Sequence, residues 1–153
     1  METHWAYGYI GKPWVLGTSG PDSYDCWGLV RAVLAEHFAI NVPPIIVPEV
    51  PAAEGETQSR HASGLAVVRA AMEHFQHHPE LARWQQVDRP RHGDGVQMSA
   101  ARNPWHVGLW LEADGGGVLH CLEGAGVIFT QPVALNVAGW RRLSYWRFVG
   151  EAA

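Results

Sequence analysis

From Pro90 onward the chain changes texture, and that change limits the possible folds more than any other feature. Gly95 to Met98, Trp105 to Leu111, Val118 to Leu122, Val127 to Thr130 and a last stretch around Leu143 to Val149 are short apolar runs. Turns at Asn103-Pro104, Asp114 to Gly117 and Gly124 to Gly126 separate them. Runs of that length between such punctuation read as strands joined by tight connections, and so as an antiparallel sheet. Upstream, Leu29, Val30, Val33, Leu34 and Phe38 recur at three- and four-residue intervals, which predicts a helix from about Cys26 to Phe38 with one buried stripe. A second helix is predicted from about Ala62 to His77, its face marked by Leu65, Val68, Met72 and Phe75. Between them, Asn41 to Arg60 carries Pro43, Pro44, Pro48 and Pro51 and reads as a strap across the body, or as a lid or docking surface. N-terminal helices packed on a C-terminal antiparallel sheet make an α+β fold. A chain of 153 residues, 47% hydrophobic, suffices for a single domain over residues 1–153 and not for two.

Composition narrows the function classes. The net charge of −4, with Lys and Arg scattered, leaves no basic stripe, so no nucleic-acid partner is expected. No run approaches the ~18 apolar residues of a membrane span, and no membrane insertion is expected. The start, Met1 to Gly8, lacks a basic segment followed by an apolar one, which predicts synthesis in the cytoplasm without a signal peptide. His74, His77 and His78 close the second predicted helix and read as a solvated helix end rather than a metal site. No cofactor is called for. His4, His37, His61 and His92 have no partner that spacing identifies.

Chemistry concentrates in Gly20-Pro21-Asp22-Ser23-Tyr24-Asp25-Cys26-Trp27-Gly28-Leu29-Val30, where a cysteine stands at the junction of a polar turn and the helix. Asp22, Ser23 or Asp25 can cap that helix. Unpaired N–H groups and the helix dipole favour negative charge there, so Cys26 is expected to be an anionic nucleophile awaiting a base. Gly28 costs the helix roughly 1 kcal/mol against alanine, which implies a close neighbour, expected to be the sheet. Cys121, beside His120 on a strand, reads as a small core thiol rather than the other half of a disulfide with Cys26. His106 and His120 fall on two successive strands. An odd-numbered loop between those strands brings the histidines to one face, opposite or diagonal to each other and within hydrogen-bonding reach. On that face Gly108 is expected to leave room for the Cys26 helix.

Tyr24-Asp25-Cys26-Trp27-Gly28-Leu29-Val30, then Gly93-Asp94, then His106-Val107-Gly108-Leu109-Trp110-Leu111, then Leu119-His120 and Gly126-Val127, taken in this order, resemble the NlpC-type cell-wall cysteine peptidases, a compact papain-like group. The longer string Gly20 to Arg31 is most similar to the branch found with phage tails and gene transfer agents. The resemblance implies Cys26 as nucleophile, His106 as base and then acid, and His120 as the group that orients it. It also implies Tyr24 near the oxyanion and Asp25 near the amino group of the substrate. Trp27 stands where the most studied members carry serine, a departure that bears on how the amine is recognised. The implied substrate is the stem peptide of peptidoglycan, cut between γ-D-glutamate and a diamino acid. The implied partners are tail-tip or hub proteins, and the implied place of action is the target periplasm. Two other readings fit the same residues: a tail component with an idle triad, and a papain-like amidase or acyltransferase effector.

Overall fold

The structure is a computed structural model that describes residues 4–43, 82–100 and 103–150. The second predicted helix, its three histidines and nearly all of the proline-rich strap lie outside the described residues. Helix α1 runs Cys26–Phe38, as its apolar spacing predicts. Six strands follow: β1 Trp84–Val87, β2 Gly95–Ala100, β3 Asn103–Leu111, β4 Gly117–Leu122, β5 Gly126–Thr130 and β6 Arg142–Phe148. A short helix α2, Pro132–Val137, joins β5 to β6. The strands form one antiparallel sheet in the order β1-β6-β2-β3-β4-β5. The fold is α+β, as expected. Strand β1 and helix α2 go beyond the sequence reading, because four residues with only Trp84 buried, and a six-residue helix, are too short for periodicity to register.

Alternation along the strands gives the sheet two working faces. On one, Leu29, Val30, Val33 and Leu34 of α1 pack with Val107, Leu109, Leu111, Leu119, Cys121 and Val127. Each of those four helix side chains is essentially inaccessible to water, worth ~2 kcal/mol apiece in transfer from water. On the other face Val96, Met98, Trp110 and Val118 pack with Leu135 and Trp140. Arg147 on β6 grips Asp94 at the head of β2 through two hydrogen bonds of 3.1 and 2.8 Å, which ties the strand entrance to the sheet's centre.

The pairing of β3 with β4 is incomplete, and this positions the site. It runs from Leu111 opposite Gly117 to Gly108 opposite His120 and stops. Beyond that point β3 continues with β2 as far as Asn103, while β4 continues with β5 as far as Leu122 opposite Gly126. The sheet therefore forks at Val107 and Cys121.

Two glycines have reasons other than those expected. A Cβ on Gly28 would lie 2.0 Å from the carbonyl oxygen of Thr18, so its close neighbour is the loop leading into α1 and not the sheet. A Cβ on Gly108 would lie 2.6 Å from the Leu119 carbonyl oxygen and 2.9 Å from the His120 Cβ. Gly108 thus lets β4 close against β3 beside the histidines, and α1 packs on the opposite face. Because a backbone oxygen cannot swing aside as a side chain can, Gly28→Ala should destabilise the protein by about 3 kcal/mol in thermal or denaturant unfolding. An unchanged melting temperature would contradict this packing.

Candidate active site

Asp25 is the helix cap. Its Oδ1 accepts from the Gly28 amide at 2.6 Å and its Oδ2 from the Gly17 amide at 2.8 Å, so one carboxylate binds both the first turn and the loop before it. Tyr24 is buried in the α1-side core, its ring against Gly20 and 5.9 Å from that of Tyr9. Burial, with the charges of Glu36 and Asp22, raises its hydroxyl above the usual tyrosine value. Trp27 is nearly buried, donates from Nε1 to the Pro43 carbonyl at 2.9 Å, and lines an apolar cavity of about 30 Å³ with Val30, Trp84, Val96, Val107 and Trp146. That volume is of the order of a single water molecule.

Cys26 and Cys121 are both free thiols. The backbone amides of Val107 and Trp27 face the Cys26 sulfur and favour its charged form. Val107 is the β3 residue at the fork, where its pairing to β4 has ended, so an amide released from the ladder is the one turned toward the sulfur. The other prong holds the same turn: the Cys121 thiol donates to the Tyr24 carbonyl at 3.2 Å, two residues before Cys26. Cys121 is thus more than core filling. The fork thus brings the first residue of a helix packed on one face to the backbone of β3 next to His106 in the chain.

The expectation of a thiolate made by the helix end alone does not hold. Burial first, then the Asp25 carboxylate, push the Cys26 thiol up to about 12, against the two amide donors. The capping group that starts the helix is the charge that opposes the anion. Cys121 is likewise pushed up to about 12, by burial and then by Asp25.

The histidines meet as the odd-loop rule predicts. Five residues, Glu112 to Gly116, separate β3 from β4, and His106 lies diagonal to His120 across Gly108. His106 Nε2 and His120 Nδ1 are 2.8 Å apart. Two further members went unseen in the sequence. Thr130 Oγ1 lies 3.0 Å from His120 Nε2, and Trp140 stacks on His106 with ring centroids 5.0 Å apart and 22° between planes. Thr130 was within reach of sequence reasoning, because the three-residue β4–β5 loop, Glu123 to Ala125, puts it on the His120 face. Trp140 gave no signal, since it arrives from the unrecognised turn after α2.

Among the other tryptophans, Trp14 packs on the core and Trp5 stacks on His37 at 3.8 Å. The side chain of Trp105 lies outside the described residues. Among the described residues no cluster of three or more His, Cys, Asp or Glu is arranged to hold a metal ion.

Both site histidines are held neutral. Burial lowers His120 to about 4, and burial followed by the nearby His120 carries His106 well below the ordinary value. The unfolded chain takes up protons near pH 6.5 that the folded chain refuses, so stability is complete above that pH and falls as pH drops toward 4. The His120 contribution is about 3 kcal/mol. Denaturant titrations from pH 7 to 4 should show this loss, and His120→Phe should flatten it. An acid limb unaltered in that variant would contradict the assignment.

The comparisons with known proteins agree with this fold. The NlpC/P60 family profile matches residues 11–142. The fold resembles the crystal structure of the NlpC/p60 domain of peptidoglycan hydrolase SagA, with a TM-score of 0.51, 21% identity and coverage of 92% of this chain and 90% of that one. It also resembles NlpC1 from Trichomonas vaginalis, with a TM-score of 0.55 and 16% identity over 96% of this chain and 42% of that one. No curated protein matches the sequence. With most of its length inside the family profile, this chain belongs to the NlpC/P60 family, whose members are cysteine peptidases and amidases.

Proposed function

We propose that the protein hydrolyses an amide bond in the peptide stem of peptidoglycan, between γ-D-glutamate and a diamino acid, through Cys26, His106 and His120. The observation that carries this reading is the meeting at the fork: a sulfur faced by the Val107 amide, one residue from an imidazole already hydrogen-bonded to a second imidazole. His106 Nε2 is committed to His120, so Nδ1 is the nitrogen available to the sulfur.

Burial disfavours the thiolate alone and the imidazolium alone. The two charges therefore arise together, by transfer of the Cys26 proton to His106, and attract each other in a weakly screened site. The thiolate attacks the amide carbonyl, and the Cys26 backbone N–H stabilises the oxyanion, a contact of the kind worth ~3 kcal/mol of barrier. The imidazolium gives its proton to the departing amine. Water deprotonated by the same imidazole then releases the acyl group from sulfur, while His120 holds the ring in place. In place of the substrate contacts the resemblance implies, Asp25 spends both carboxylate oxygens on the loop and first turn of α1, and Tyr24 and Trp27 are buried, so their part in the reaction is to hold Cys26 in position.

The likeness of Gly20 to Arg31 to the tail-associated branch supports a finer reading, in which the peptidase travels with tail-tip or hub proteins and acts in the target periplasm.

Incubation of purified peptidoglycan with the native chain, followed by mass spectrometry of the muropeptides, should release new stem-peptide ends that Cys26→Ala abolishes. His106→Ala should cost at least ~10²-fold in rate, and His120→Ala less. Absence of cleavage by native protein that assembles stably into tails would favour the idle-component reading. A second test addresses the origin of the thiolate: alkylation of Cys26 by iodoacetamide near pH 7 should collapse in His106→Ala, with Cys121 protected throughout. Equal labelling of Cys26 in both proteins would show that the helix end alone ionises the sulfur.

A further inference from the structure

We infer that Thr130 is a positioning residue that fixes the proton arrangement of the histidine pair, by accepting a hydrogen bond from His120 Nε2–H. This deepens the proposed function and rests on it for the direction of proton flow. The observation is a diagonal row across three adjacent strands. His106 on β3 is displaced by two residues from Gly108, the partner of His120 on β4. Thr130 on β5 is displaced by two in the opposite sense, from Ile128, the partner of the same histidine. The row is joined by contacts of 2.8 Å between the rings and 3.0 Å to the hydroxyl.

A neutral imidazole carries one donor and one acceptor nitrogen, so a chain through two of them has only two polarities. In one, the Thr130 hydroxyl donates to His120 Nε2. His120 Nδ1–H then donates to His106 Nε2, and the His106 proton stands on Nδ1, where the thiol proton should go. In the other, Thr130 accepts from His120 Nε2–H and His120 Nδ1 accepts from His106 Nε2–H. His106 Nδ1 is left as a bare acceptor. Only the second polarity lets His106 take the Cys26 proton without first losing one, and it also leaves His106 Nε2–H donating to His120 when the ring becomes an imidazolium. His120 is almost wholly removed from solvent, so water does not substitute for the missing partner. Valine has the same shape on a β-strand, so Thr130→Val removes the hydroxyl and its 3.0 Å contact and little else.

The test is nitrogen NMR of the full chain labelled at histidine, near neutral pH, on native protein, Thr130→Val and Thr130→Ser, with peptidoglycan hydrolysis followed in parallel. The native protein should show His120 and His106 both protonated at Nε2. Thr130→Val should shift His120 toward the Nδ1–H form and lower kcat by about tenfold with little change in KM. Thr130→Ser should restore both. A native His120 protonated at Nδ1 would overturn the inference by itself, even if Thr130→Val fails to fold. Native tautomers and native kcat retained in Thr130→Val would overturn it too. Native protein with the expected tautomers but no cleavage of peptidoglycan would refute the hydrolase reading while leaving the proton assignment intact.

Discussion

Everything at the site depends on the point where β3 and β4 part company. Up to Gly108 and His120 the two strands are laddered together, and beyond it each keeps only its outer neighbour. A strand leaving its partner exposes amides that must find acceptors, because an unpaired buried N–H is costly. Here the Val107 amide turns toward the Cys26 sulfur, while the opposite prong fastens the Tyr24 carbonyl through Cys121. A local defect in the sheet becomes the seat of Cys26. It also bears on a geometric problem: α1 packs on the Val107, Leu109 and Leu111 face, whereas the histidines lie on the face of Trp110 and Val118.

The electrostatics follow from burial. Cysteine and both histidines resist carrying isolated charge, and the cap that stabilises the first turn adds a carboxylate beside the sulfur. Fold stability and thiol ionisation therefore pull against each other at Asp25. In the proposed function, sulfur and imidazole therefore gain their charges together, by a proton transfer that conserves net charge. The relay through His120 to Thr130 holds the acceptor ring, and Trp140 lies flat against its other side. The ring is confined by both contacts.

Much of this was legible in the sequence. The helix from Cys26 to Phe38 follows from its spacing, and the pairing of His106 with His120 follows from the parity of one loop, because a side-chain period of two leaves only two outcomes. What escaped was non-local. Nothing in the spacing around Gly28 points to a carbonyl ten residues earlier, and nothing in Leu119-His120-Cys121 announces that β4 will leave β3 there. The thiol's acidity was misjudged for the same reason. Helix position is a local property, whereas desolvation depends on everything packed around the sulfur.

The forked sheet is tested most directly by amide hydrogen exchange at Val107 in native protein and in Cys26→Ala. If the sulfur is that amide's acceptor, Val107 exchange should accelerate at least ~10-fold in the variant, while Leu109, still laddered to Leu119, keeps its protection. Unchanged protection at Val107, or equal acceleration at both amides, would contradict the account.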